Sequence, residues 1–342
     1  FISKMAHSAV CEERYPPDSE ECQYVQELEQ KAEQGDESAQ FALGSWYAEG
    51  RYVKPDYKLA IKWLEKAGKQ GSDFSYFILG YHYNYGENFP LSRQKALEWY
   101  RKAAELGDSS TQEILGDAYM YGDGFPQNTQ LALEWYRRAA AQGLAEAQDA
   151  IGVMFMQGEG VSQDYQQALA WYRKAARQGL PAAQTHLGIM SAFGRGVAQS
   201  DRQAIAWYRK AAKQDFAKAQ YQLGVAYSTG RGVPENSRNA LKWYLKAAEQ
   251  GFTPAQLALG EIYAHGRQGV PKDNKQAYIW YYMASIYTEK SKDDCSALIA
   301  ERNRLKGTLT PDQLSETYAA FDLIRRKINQ SKEAKKIARK KY

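Results

Sequence analysis

One period governs this chain. The stretch ALEWYRKAAELG at residues 96–107 returns 36 residues later as ALEWYRRAAAQG, and after another 36 as ALAWYRKAARQG. At that offset six blocks run without a gap, at 36–71, 72–107, 108–143, 144–179, 180–215 and 216–251, and a seventh at 252–288 carries one extra residue within HGRQGVP. Gly recurs at 44, 80, 116, 152, 188, 224 and 260, and seven of the eight tryptophans recur at 63, 99, 135, 171, 207, 243 and 280. A sustained period of this length restricts the chain to a repeat array, in which no single unit can bury its own apolar face. The two or three ordinary domains that 342 residues would otherwise suggest therefore do not apply.

Each block reads as helix, turn, helix. In block four Ala147, Ile151, Met154 and Phe155 fall on one face of a 3.6-residue helix, and Ala168, Trp171, Tyr172, Ala175 and Ala176 fall on one face of a second. GEGV between them supplies turn glycines, and Gly179 suits the left-handed position that ends a helix. Gly152 in mid-helix costs about 1 kcal/mol in propensity. Its recurrence predicts that another helix backbone comes close there, with Ala175 and Ala176 serving the same purpose and Trp171 and Tyr172 buried as fillers. The Trp-Tyr pairs are thus expected to be structural, not a platform for stacking bases or sugars.

These phrases, AEAQ..IG and GEGV.QDY..AL.WYRKAA.QG with their six siblings, resemble Sel-1-like repeats, relatives of the tetratricopeptide repeats. The resemblance covers about three-quarters of the chain. It implies an all-α, right-handed α-solenoid of seven 36-residue helix-turn-helix repeats, with the first (A) helices lining a concave side and the second (B) helices outside. Block two departs most, with Asn88 in place of the second turn glycine, and block five has Ser191 where an aromatic is usual. Terminal stripes need covering. Residues 24–35 read as a front capping helix and 289–328 as two rear ones, Thr310, Pro311 and Gln313 forming a capping box. An LTPDQL-type terminal helix also accompanies the repeat in its relatives. Residues 1–23 stand apart as an N-terminal segment and 329–342 as a basic tail.

Charge is unevenly placed. Residues 325–342 hold nine Lys/Arg and one Glu, a net +8, while the remainder carries 36 basic against 39 acidic residues. The body is therefore not a general polyanion binder, and only the tail would contact acidic surfaces. No apolar run reaches the roughly 20 residues of a membrane helix. FISKMAHSAV reads either as a signal-peptide remnant or as a plain start. Cys11 and Cys22 flank a polar, turn-forming loop that a disulfide would close in an oxidising compartment, leaving Cys295 over. A periplasmic or secreted location is the expectation, with a cytoplasmic one as the alternative.

Nothing in the sequence is built for chemistry. The four histidines form no HExxH pair or metal spacing, GDG, GEG and GRG lack the GK[ST] of a phosphate loop, and there is no GxSxG elbow. Neither a catalytic residue, a metal nor a cofactor is expected, nor a specific nucleic-acid partner. A protein partner is. Offsets 6, 10 and 13 of each block share the A-helix face opposite the apolar stripe: Phe41, Ser45, Ala48; Phe77, Tyr81, Asn84; Glu113, Asp117, Met120; and so on to Leu257, Glu261, Ala264. This face is often apolar where a solvated one would be polar. Phe41, Phe77 and Tyr81, with Tyr85 and Tyr121 one position farther round and Glu113 and Asp117 beside them, are the expected contact strip. The resemblance implies bacterial adaptors, secreted host-interaction factors, and immunity proteins that neutralise toxic effectors, lipases included. The most concrete expectation is an immunity protein, an intracellular adaptor is the alternative, and a cell-wall hydrolase comes last.

Overall fold

The computed structural model describes residue 16 and residues 19–86, 88–267, 269–288 and 296–340, with the backbone alone at 287–288 and 331–340. Among these the chain forms 17 α-helices and no strand. A first helix, α1 (Glu20–Glu33), precedes seven A/B pairs. The A helices are α2 (Glu37–Glu49), α4 (Asp73–Tyr85), α6 (Ser109–Tyr121), α8 (Ala145–Gln157), α10 (Pro181–Phe193), α12 (Ala217–Thr229) and α14 (Thr253–His265). The B helices are α3 (Tyr57–Lys69), α5 (Arg93–Leu106), α7 (Thr129–Ala141), α9 (Tyr165–Arg177), α11 (Asp201–Ala212), α13 (Ser237–Ala248) and α15 (Asn274–Thr288). Two further helices follow, α16 (Ser296–Lys306) and α17 (Pro311–Lys340). Residues up to Asp164 belong to one compact unit and residues from Tyr165 onward to another.

Local chemistry sets the helix ends. Side chains of Asp36, Asp56, Ser92, Asp108 and Asn128 accept a bond from the first-turn backbone of the helix that follows, relieving the orphan amides there. Asn88, in the second turn position of block two, adopts φ +59°, a left-handed conformation that Asn tolerates better than most residues. Its Nδ2 donates to the Ala48 carbonyl at 3.0 Å, so the exchange for glycine keeps the turn and adds a tie to the preceding repeat.

The recurrent mid-helix glycine mostly has a different cause from the one expected. At five of these glycines what occupies the space is a tyrosine ring from the B helix of the same block, whereas at Gly44 it is Leu64, whose backbone nitrogen would lie 2.9 Å from an added methyl group, the close backbone approach expected. A methyl group added at Gly80 would lie 2.5 Å from Tyr100 Cε1, and one at Gly116 2.5 Å from Tyr136 Cδ1. The same holds at Gly188 against Tyr208, Gly224 against Tyr244 and Gly260 against Tyr281. Those tyrosines are buried, Tyr136 at 2 % exposure. The glycine therefore makes a socket and the tyrosine fills it. Gly80→Ala is expected to destabilise the first unit by about 1–2 kcal/mol, since overpacking outweighs the gain in helix propensity. Faster amide exchange in α4 and α5 would show it, and unchanged protection there would refute the socket.

Tryptophan is correspondingly less buried than expected. Trp63, Trp135 and Trp280 are enclosed, but Trp99, Trp171, Trp207 and Trp243 are half-buried. A cation three residues on covers each of six rings: Lys66 over Trp63, Lys102 over Trp99, Arg138 over Trp135, Lys174 over Trp171, Lys210 over Trp207 and Lys246 over Trp243. The Lys174 Nζ lies 4.0 Å from the Trp171 ring centroid, within cation–π range. In blocks two, four, five and six the Trp-Tyr phrase divides its labour: tyrosine is buried, and the half-buried tryptophan with its i+3 cation forms a partly wet edge.

Glutamines tie neighbouring blocks. Gln142 Nε2 donates to the Gly107 carbonyl at 2.8 Å and to Gln112 Oε1 at 3.0 Å, while Gln112 Nε2 donates to the Ala104 carbonyl at 3.0 Å. Gln70 and Gln40 form the same relay in block one, and Gln214 bonds Gln184 and the Gly179 carbonyl in block five. Block two has none, because Tyr76 and Leu106 stand where the glutamines would be. Tyr76 instead stacks on Trp99, with ring centroids 5.8 Å apart.

Further helices flank the repeats at both ends, and the front one begins at Glu20, inside the stretch set apart as an N-terminal segment and four residues before the expected start. In α1, Cys22, Val25 and Ala32 are fully buried, and Glu29 accepts a bond from the Tyr47 hydroxyl at 3.2 Å. Cys22 is disulfide-bonded. Cys11 and Cys295 lie outside the described residues, as does the 1–10 segment. At the other end Leu305, Phe321 and Ile328 pack with Tyr278, Tyr281 and Met283. The capping box is present: Thr310 N donates to Gln313 Oε1 at 3.0 Å, and Gln313 N to Thr310 Oγ1 at 3.3 Å. Thr310→Ala is expected to cost about 1 kcal/mol, seen as faster amide exchange in the first turns of α17. That helix continues to Lys340, through the stretch set apart as a basic tail.

Candidate protein-binding site

In the first unit the residues expected to form the strip lie on one side of their A helices, with one change of register. Offset 13 is the less open position: Ala48, Met120, Ala192 and Ala264 are buried, and Asn84, Met156 and Ser228 are half-buried. Ala192 packs with Ala204, Ile205 and Tyr208 of its own B helix, and Ala264 likewise with Ala277, Tyr278 and Tyr281. The next residue is the exposed one in every block: Glu49, Tyr85, Tyr121, Gln157, Phe193, Thr229 and His265. The open face therefore runs through offsets 6, 10 and 14, except at offset 6 of block five, where Thr185 is fully buried.

On α2 and α4 this face is an aromatic ladder. Phe41 lies 5.7 Å from Phe74 between ring centroids, and Phe74 lies 5.6 Å from Phe77 with the rings nearly parallel at 8°. Phe77 packs on the buried Tyr100 at 5.8 Å, and Tyr81 on Tyr85 at 4.6 Å. Phe41, Phe77 and Tyr81 are half-buried, whereas Phe74 is 55 % exposed and Tyr85 47 %. Phe74 is an addition to the expected strip, although it sits three residues before Phe77 and so shares its side of the helix.

On α6 the ladder gives way to acid. Glu113 and Asp117 are half-buried, and Tyr121, 74 % exposed, follows them. Tyr136 donates its phenolic hydrogen to Asp117 Oδ1 at 2.6 Å. Burial holds the Asp117 carboxyl above the usual carboxylate range, against the pull of that bond and of Arg93. Partial desolvation, then the carboxylates of Asp117, Glu159 and Glu113, raise the Tyr121 phenol. Arg93 reaches the same side from the start of α5. Its Nη1 donates to Asn84 Oδ1 at 2.8 Å, and its Nη2 lies 2.8 Å from Asp123 Oδ2.

Charge separates cleanly by helix type in this unit. The A helices α2, α4, α6 and α8 carry seven Asp/Glu and no Lys or Arg, whereas the B helices α3, α5 and α7 carry ten Lys/Arg against four Glu. The whole-chain balance of +5 conceals this.

The histidines do other things. His82 is buried and stacked on Phe89 at 5.0 Å, His186 lies 3.4 Å from Lys218 Nζ, and His265 is exposed with Nδ1 3.1 Å from the Glu261 carbonyl, while His7 is outside the described residues. Among the described residues no group of three His, Cys, Asp or Glu is placed to hold a metal, and no helix is long and apolar enough to cross a membrane.

A constant backbone that displays different side chains from block to block defines a helical-repeat interaction scaffold of the α-solenoid class. The chain belongs to the Sel1 repeat family, whose repeat matches residues 37–72, 74–108, 109–144, 145–180, 181–216, 217–252 and 253–285. It is similar to a Sel1 repeat protein of Oxalobacter formigenes, at 34% identity and a TM-score of 0.68, over 81% of this chain and 80% of that one. It also resembles a protective antigen of uropathogenic Escherichia coli with an SLR fold, at 27% identity and a TM-score of 0.46, over 89% and 87%. An immunity protein of Pseudomonas aeruginosa matches at 23% identity and a TM-score of 0.45, over 58% of this chain and 75% of that one. No curated protein matches the chain.

Proposed function

We propose that this Sel1 repeat scaffold holds a partner protein against the A-helix face of its first three repeats, without chemistry of its own. The observation that carries the reading is the Phe41–Phe74–Phe77 ladder. Phe74 is stacked in place yet more than half exposed, so it offers apolar area with little side-chain entropy left to lose. Tyr85 and Tyr121 extend the face with hydroxyls. In its most concrete form the partner is a toxic effector of the lipase type, and the chain is an immunity protein that occludes it in the periplasm or outside the cell. An intracellular adaptor is the other form.

A photo-crosslinking residue placed at Tyr121 on the A face, and separately at Lys102 on a B helix, tests the common core of both. Crosslinks to one partner protein from Tyr121 and none from Lys102 are expected, and the reverse pattern would sink the reading. For the immunity form, the chain should form a one-to-one complex with an effector encoded next to it and rescue cells that make that effector in the periplasm. Phe74→Ser with Tyr121→Ser should abolish rescue without unfolding the protein, since both side chains are largely exposed. Undiminished rescue would move the site off this face.

A further inference from the structure

The aromatic ladder accounts for α2 and α4, but not for the acids that follow on α6. Four A helices carry no Lys or Arg, and of their seven acids Glu49, Glu113, Asp117 and Asp149 stand at offsets 6, 10 and 14 of the open face. At its centre Asp117 has one carboxylate oxygen taken by the Tyr136 hydroxyl. Burial costs the charge on Asp117 more than the Tyr136 bond and the more distant Arg93 return, so an incoming cation would be rewarded. Tyr121, 74 % exposed, stands one helical turn from Asp117 and offers a ring face to the same visitor. The fold already supplies one example of such a visitor. Arg93 comes in from α5, and its guanidinium is held by Asn84 and Asp123.

We infer that Glu113, Asp117 and Tyr121 form a subsite for a lysine or arginine side chain of the partner, presented by a basic segment whose apolar residue rests on the Phe41–Phe74–Phe77 ladder. This rests on the A-face reading above and gives it a chemistry. Charge complementarity selects the occupant. An acidic segment would meet Glu113, Asp117, Glu159 and Asp123 with Arg93 as the counter-charge already spoken for. A neutral apolar segment would cover the half-buried Asp117 and add no charge to the partial compensation that Arg93 gives it. The aromatic neighbour favours arginine over lysine, because a planar guanidinium can stack while it bonds the carboxylate.

Three labelled decapeptides on a Gly/Ser background test this by fluorescence anisotropy with the full chain: one with a Phe and two Arg, one with Glu in place of Arg, and one with the Phe alone. The Arg peptide should bind about tenfold more tightly than either of the others, and the preference should shrink as salt is raised. Asp117→Asn, which keeps an acceptor for Tyr136, combined with Glu113→Gln should remove about tenfold of that affinity, and Tyr121→Ala roughly fivefold. Unchanged helicity and melting of the variants, by circular dichroism, would show that the loss is at the site. Equal binding of the Arg and Glu peptides, an Arg preference that survives in the Asp117/Glu113 variant, or no binding of any peptide would each overturn the subsite. If Tyr121 still crosslinks a partner in any of these cases, the A-face reading stands and only its charge assignment falls.

Discussion

Tyr100→Ala is expected to destabilise the first unit by about 3–5 kcal/mol, and Trp99→Ala by roughly half of that. The two residues are adjacent in ALEWYRKAAELG, and sequence alone would rank the tryptophan as the greater loss. The structure reverses the order. Tyr100 is 3 % exposed and sits in the Gly80 socket beneath Phe77, so truncation leaves a cavity bounded by helices that cannot easily collapse. Trp99 is half-buried between Tyr76 and Lys102, and water can follow its removal. Repeat arrays unfold in pieces, so the effect is best read from amide exchange in α4 and α5 and not from one global midpoint. A larger loss for Trp99→Ala than for Tyr100→Ala would contradict the division of labour in the repeat.

The second large effect is an abrupt alkaline unfolding. Burial raises the phenols of Tyr100, Tyr136 and Tyr208 far above the ordinary value of 10.0, and pushes Tyr278 and Tyr281 up to about 12. A folded-state pKa above the unfolded one means that the native protein holds more protons between the two values. Stability from these rings is therefore fully present below pH 10 and falls as pH rises through 10 to 12 and beyond. Each tenfold difference in proton affinity between the folded and unfolded chains is worth about 1.4 kcal/mol, and several such rings act together. Near-ultraviolet phenolate absorbance should show a steep step coincident with loss of helicity. Smooth titration of all tyrosines about pH 10 with helicity intact would refute it.

Much of this molecule is legible in the sequence because periodicity is a strong signal. Helix pairs, turn glycines, the Thr310 capping box and the missing turn glycine at Asn88 all follow from residue type and spacing. What spacing does not give is the identity of a contact. A recurrent glycine says that something comes close, but not whether it is a backbone or a ring, and only the pairing of Gly80 with Tyr100 settles that. Size alone places the tryptophans in the core, and a lysine three residues on is a weak signal beside it. For the strip, Phe41, Phe77, Tyr81, Tyr85, Glu113, Asp117 and Tyr121 do fall on one side of their helices. Phe74 escapes the pattern, and offset 13 looks open, because helical spacing gives the direction of a side chain but not how far the partner helix wraps around it.

Block two joins block one through a matched pair of exchanges. Where later blocks set an alanine against the relay glutamine, as Ala104 and Gln112 do, this joint sets Gly68 against Tyr76, and a methyl group at Gly68 would lie 2.5 Å from the Tyr76 ring. The joint is a keyed connector, unlike the glutamine relays described at the neighbouring seams. Block two, which carries Phe74, Phe77, Tyr81 and Tyr85, cannot be shuffled behind a block that ends in Ala-Ala without a collision at that ring. The order of the first two repeats is thus written into their seam, and the aromatic ladder that spans them is kept assembled by a contact remote from the face it serves.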